Sequence, residues 1–171
     1  MTDDGVYTTT AGRLHASWSA SDPETGISEY QYAIGASVGA TDVVPWTSTG
    51  TSTEVTRTGL ALNYTSTYYF TVKAANADDM WSSSGASDGI RPARTVSDIA
   101  EAKSYADNEC VRVTGRVVAA EFVDSFYIED PDRIAGIRVT GATASEGTTV
   151  TVTGVLATTN GERVLTNAQF E

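Results

Sequence analysis

The stretch Tyr68-Tyr69-Phe70-Thr71-Val72-Lys73-Ala74-Ala75-Asn76 carries the period that decides the fold class. Tyr68, Phe70, Val72 and Ala74 fall on one side of an extended backbone and the residues between them on the other, the alternation of a half-buried β-strand. Upstream the same period recurs. Leu14, Ala16 and Trp18 share one face, as do Tyr30, Tyr32 and Ile34, with Ser, Thr, Gly, Asp and Asn in the intervening segments. Strands joined by short turn signals, with no long helical pattern between them, predict a sandwich or barrel rather than a βαβ fold.

Downstream the texture changes near residue 90. Ser87-Asp88-Gly89-Ile90-Arg91-Pro92-Ala93-Arg94 ends one strand series, and Val96-Ser97-Asp98-Ile99-Ala100-Glu101-Ala102-Lys103 then supplies a capping residue and a short run of helix formers. A boundary at residue 94 gives two domains, 1–94 and 95–171, joined by a short linker with one proline and showing no internal repeat. In the second domain Val111, Val113 and Val117 are expected on the inner face of a long first strand, with Gly115 where a barrel strand coils or bulges. Phe126 and Ile128 are the corresponding core positions of a second strand, Ile137 and Val139 of a third, Val150 and Val152 of a fourth, and Val164 with Phe170 of a fifth. This predicts a five-stranded Greek-key barrel.

Composition restricts the chemistry. Acidic residues outnumber basic ones by 22 to 11, and both halves share the excess, 10 against 5 before the boundary and 12 against 6 after it. A phosphate backbone would meet net repulsion, so nucleic acid is not expected as a partner. No apolar run approaches the roughly 20 residues that cross a bilayer, so membrane insertion is not expected. Met1-Thr2-Asp3-Asp4 reads as the start of a fragment, and the missing export signal therefore carries no information. Cys110 is the one cysteine and His15 the one histidine, which excludes an internal disulfide and a nitrogen and sulfur zinc cluster.

The first half resembles the fibronectin type III family over nearly all of residues 1–92. Trp18 closes Leu14-His15-Ala16-Ser17-Trp18 as the core tryptophan of a B strand, and Leu62, Tyr68, Phe70, Val72, Ala74 and Asn76 look like the E to F corner and F strand. The resemblance implies that Tyr68 is the corner tyrosine, with a buried ring and a hydroxyl returned to upstream backbone. Ser21-Asp22-Pro23-Glu24-Thr25-Gly26-Ile27, Tyr32-Ala33-Ile34-Gly35, Trp81-Ser82 and Ser87-Asp88-Gly89-Ile90 are similar to a subtype common in large bacterial surface and secreted proteins. That subtype often has a small residue and glycine before the tryptophan-serine pair, where this chain has Asp78, Asp79 and Met80, so the F to G turn is expected to differ. The second half, through Val113-Thr114-Gly115-Arg116-Val117-Val118, Phe126-Tyr127-Ile128-Glu129-Asp130, Gly136-Ile137-Arg138-Val139, Val150-Thr151-Val152-Thr153-Gly154 and Asn160-Gly161, resembles OB-fold domains, including those of secreted bacterial proteins. The fold class expected is all-β: a seven-stranded fibronectin type III (Ig-like) sandwich followed by a five-stranded OB-like barrel.

Candidate chemistry is sparse. Alternation puts Arg112, Thr114, Arg116, Tyr127 and Arg138 opposite the barrel core, on what in OB domains can be the ligand-facing platform. A tyrosine among arginines can stack a base or sugar ring; the competing reading is arginine stems that cover a sheet and pair with Glu129 or nearby acids. Asp22 with Glu24 and Asp78 with Asp79 are weak calcium candidates in loops without the spacing of a calcium-binding loop, and Glu129, Asp130 and Asp132 form a third acidic group. His15 is expected to face solvent and Cys110 to be a packed or edge thiol. Trp46 and Trp81 stand near strand ends, where exposed indoles can hold sugars but edge packing is the expected role. The chain reads as a non-catalytic, cofactor-free spacer or accessory module of a larger extracellular or cell-surface protein, partnered by that protein's other domains. The alternatives are a module binding carbohydrate or a surface protein, and a subunit that assembles with copies of itself through an edge strand.

Overall fold

The computed structural model describes all residues from 1 to 171 and is all-β, with one short helix. The chain divides into two compact units, Met1–Pro92 and Ala93–Glu171, each with its own core.

In the first unit the strands are β1 (Thr2–Asp3), β2 (Tyr7–Thr8), β3 (Arg13–Ser17), β4 (Ile27–Gly35), β5 (Val44–Gly50), β6 (Glu54–Thr58), β7 (Tyr69–Asn76), β8 (Gly85–Ala86) and β9 (Arg91–Pro92). They form a three-stranded sheet β1-β3-β6, a four-stranded sheet β5-β4-β7-β8, and a parallel pair β2-β9. The alternating residues meet in a sandwich-like core: Leu14 and Ala16 from β3, Tyr30, Tyr32 and Ile34 from β4, and Phe70, Val72 and Ala74 from β7. Trp18 leans on this layer with its ring 6.1 Å from that of Tyr30 and 6.4 Å from that of Tyr32. Packed aromatics of this size bury large apolar areas, so a unit without a disulfide has its stability in this cluster. The Tyr68 ring is buried and its hydroxyl accepts the Asn63 backbone N–H at 3.0 Å. After β7 the chain turns on Asn76, whose side-chain oxygen accepts the N–H groups of Asp78 and Met80, each at 3.0 Å. Asp79 there has φ +60°, a left-handed conformation that glycine adopts freely and aspartate tolerates in turns.

The second unit contains β10 (Arg94–Val96), α1 (Ile99–Ser104), β11 (Cys110–Glu121), β12 (Ser125–Glu129), β13 (Gly136–Thr140), β14 (Thr149–Thr159) and β15 (Glu162–Phe170). Antiparallel ladders join β11 to β12, β12 to β13, β14 to β15 and β11 to β14, and a parallel ladder joins β13 to β15, closing a five-stranded barrel. β10 adds in parallel along Val111–Val113, on the edge of β11 that β12 takes further along.

The long strand β11 departs from simple alternation. Between Val113 and Arg116 its register against β14 shifts, and Gly115 has φ +67°. This β-bulge inserts one unpaired residue and reverses which side chains point inward. Val111 and Val113 are buried as expected, but beyond the bulge Val118 is the core residue and Val117 is only partly buried. Arg116, expected on the outer face, is buried at 8 % exposure. Phe170, expected in the core, is 40 % exposed and packs edge-on against Phe126 at 5.4 Å; Leu165 takes the core position beside Val164. A β-branched or alanine side chain at Gly115 would hold a left-handed conformation that L residues resist, so Gly115→Ala should lower stability in urea unfolding by about 1–2 kcal/mol. An unchanged unfolding midpoint would show that the bulge relaxes freely.

Six residues are too few for a stable helix in isolation, so α1 exists by packing. Ile99 and Ala102 are buried in the barrel core. Asp98 caps the helix by accepting the Glu101 N–H at 2.7 Å, and the Glu101 carboxylate accepts the Ser97 N–H at 2.7 Å. These bonds hold both carboxyls below their ordinary values of 3.8 and 4.5, with the Glu101 N–H the main cause for Asp98 and the Ser97 N–H for Glu101. A carboxyl with a depressed native pKa stabilises fully above its unfolded pKa and loses that contribution as pH falls through the native one. The melting temperature should therefore drop on acidification below 4.5. Asp98→Ala should start lower at neutral pH and fall less steeply; parallel curves for the two proteins would exclude the cap as a source of acid sensitivity.

Candidate functional site

The residues expected on one ligand-facing platform separate into three groups. Tyr127 of β12 and Arg138 of β13 are direct cross-strand partners, and both reach Glu162 at the start of β15. The Tyr127 hydroxyl donates to Glu162 Oε1 at 2.6 Å, and Arg138 Nε lies 3.2 Å from Glu162 Oε2. The carboxylate bond raises the Tyr127 hydroxyl above the ordinary tyrosine range, keeping it a donor. Phe122 meets the Tyr127 ring edge-on at 6.0 Å. Arg112 stands elsewhere, opposite Thr153 of β14, and gives its Nη groups to Thr153 Oγ1 at 3.3 Å and to Glu171 Oε1 at 2.5 Å. The partners of the outward arginines are thus Glu162 and Glu171, while Glu129 pairs with Arg133 at 3.3 Å. Exposed pairs of this kind contribute little to stability.

Arg116 belongs to neither group. Its Nε lies 2.6 Å from Asp130 Oδ1, its Nη1 donates to the Thr114 carbonyl at 2.6 Å, and its Nη2 donates to the Ser97 carbonyl. Asp130 also accepts the Ile99 N–H through both oxygens, at 3.2 and 3.1 Å. The pair forms one wall of an open cleft of about 430 Å³ that includes Asp98, Asp132 and Ile134. Both charges are spent on backbone and on each other, so this wall of the cleft presents an occupied ion pair. No sequence spacing announces the pair, because Asp130 lies just beyond the next strand, β12, and Arg116 enters only through the bulge.

Among the loop carboxylates, Asp22 is spent likewise. Asp22 Oδ1 accepts the N–H groups of Glu24 at 3.2 Å and Thr25 at 2.9 Å, and its Oδ2 accepts Asn76 Nδ2 at 2.9 Å. Those bonds, led by Thr25, lower the Asp22 pKa. Glu24, Asp78 and Asp79 do not join Asp22 in a ligand set, and no three carboxylate, imidazole or thiol groups converge. His15 is partly exposed, 3.5 Å from Asp4 and 3.9 Å from Glu54, and Cys110 is fully buried. Trp46 and Trp81 are 38 % and 41 % exposed, and the Lys73 ammonium lies over both indoles. Lys73 escaped the sequence reading, since only the tertiary fold brings β5, β7 and the segment before β8 together. Neither a protein-family model nor a curated protein sequence matches the chain.

Removing one partner of a buried pair strands the other charge, at a cost of about 3–5 kcal/mol. Asp130→Ala should therefore lose about that much stability in urea unfolding, whereas Arg138→Ala, at a partly exposed pair, should lose about 1 kcal/mol or less. Equal losses would refute the distinction between the two sites.

Proposed function

We propose that the chain is a non-catalytic structural or accessory module of a larger protein acting outside the cell or at its surface, a fibronectin type III-like unit followed by an OB-like unit. The observation that carries this reading is the occupation of the candidate polar groups by internal partners: Tyr127 and Arg138 by Glu162, Arg112 by Glu171, Arg116 by Asp130, and Asp22 by its own turn. An enzyme keeps at least one such group available to its substrate.

The finer family reading draws support from Trp18 against Tyr30 and Tyr32, from the Tyr68 hydroxyl on upstream backbone, and from a closed barrel of the Greek-key kind. An extracellular setting fits a chain whose single thiol is buried, since an oxidising compartment then finds no exposed thiol to modify. A second reading, a module that binds a surface protein, is favoured by the turn between β11 and β12, where Phe122 is 53 % and Val123 98 % exposed. Residues 1–92 and 93–171 expressed separately should each unfold cooperatively without any added ligand, and the whole chain should leave nitrophenyl esters, phosphates and glycosides unhydrolysed. Turnover above that of heat-inactivated protein would defeat the non-catalytic reading, and a unit that folds only with a ligand would defeat the spacer reading.

A further inference from the structure

On the outer side of the four-stranded sheet, two indoles flank one ammonium. Lys73 Nζ lies 4.6 Å from the centroid of Trp46 and 4.4 Å from that of Trp81. The two π faces hold the Lys73 ammonium in place, and its charge also acts on Glu29 across the strip. The ladder places the neighbours on the same side: Gln31 of β4 is paired with Ser48 of β5 on one edge and with Lys73 of β7 on the other, and Trp81 bridges to Ala75, two residues beyond Lys73. Glu29 accepts Gln31 Nε2 at 3.1 Å and a side-chain bond from Ser48. The strip therefore runs across the sheet with an aromatic ring at each flank and a carboxylate, an amide, a hydroxyl and an ammonium between.

One ring over the lysine would suffice to pin it. A second, with both indoles about two-fifths exposed, keeps apolar area in contact with water that a ligand could cover. The chemistry of the strip selects that ligand. A pyranose offers a C–H face that stacks on indole and an edge of hydroxyls, each donor and acceptor, that matches a carboxylate, an amide and an ammonium side by side. Charge selects further. Glu29 and Lys73 cancel within the strip, while the chain as a whole carries a formal charge of -11, so a polyanion is repelled and a neutral chain is not. A proline-rich segment would also stack on the indoles, but its rings bring no donors to Glu29.

We propose that Trp46, Lys73 and Trp81, with Ser48, Glu29 and Gln31 between them, form a binding platform for a neutral pyranose oligosaccharide. This goes beyond a spacer role, which needs no ligand. The test titrates the full chain with cellohexaose, xylohexaose and chitohexaose, following tryptophan emission and calorimetric heat. At least one of the three should bind with a dissociation constant near or below about 1 mM. Trp46→Ala and Trp81→Ala should each weaken that binding about tenfold or more, at unchanged circular dichroism, while Tyr127→Ala on the barrel should leave it unchanged. Lys73→Gln separates support from recognition: weakened binding at an unchanged melting temperature supports the ammonium as part of the platform. Any of four results would overturn it: no response to all three hexasaccharides at about 10 mM, binding untouched by the tryptophan substitutions, a preference for polygalacturonate, or a preference for a polyproline peptide.

Discussion

Arg116 and Asp130 meet at 2.6 Å inside the second unit, each less than a tenth exposed, where water screens little and every remaining donor and acceptor must find a partner. Desolvating two such ions costs several kcal/mol apiece, and the cost is offset only because their other atoms are bonded too. Those bonds gather four parts of the chain at one point: the bulge through the Thr114 carbonyl, the approach to α1 through the Ser97 carbonyl, the first turn of α1 through the Ile99 N–H, and the end of β12 through Asp130 itself. An apolar pair of equal volume would avoid the desolvation but leave the Ile99 N–H without its acceptor. The short helix and the barrel wall are therefore coupled by geometry rather than by apolar area alone.

That coupling depends in turn on Gly115. A strand of strict period two would send Arg116 outward beside Thr114 and Val118 outward with it. The left-handed residue consumes one position without pairing, so Arg116 and Val118 arrive inside while Arg112, before the bulge, stays partly exposed and bonded to Glu171. Two arginines four residues apart thereby acquire opposite roles.

The sequence revealed those parts of the fold whose cause is local. Alternation alone placed Leu14, Ala16, Tyr30, Tyr32, Phe70, Val72, Phe126, Ile128, Ile137 and Val139 in their cores, and Gly115 was recognisable as a position for a bulge. The phase reversal after it was not legible, because a residue pattern marks where a strand can bulge and not whether the extra residue is inserted; Val117 and Val118 both satisfy a hydrophobic pattern there. The pairings of the candidate site were less legible still. Tyr127 and Glu162 are 35 residues apart and meet only because β13 pairs with β15. Trp46 and Trp81 stood out as aromatic, but Lys73 reads as an ordinary outward residue until the strands bring its ammonium between them.

Barrel closure has a kinetic side. The ladder between β11 and β14 joins residues some forty positions apart, and β13 pairs with β15 only after the chain has passed through β14. During synthesis β11, β12 and β13 emerge first, as a meander that has Val111, Val113, Phe126 and Ile137 but no opposing wall to cover them. Contacts so distant in sequence slow folding, and an uncovered meander is open to wrong partners while it waits. The same closed topology that seals the mature barrel thus makes its last two strands the step on which the earlier ones depend.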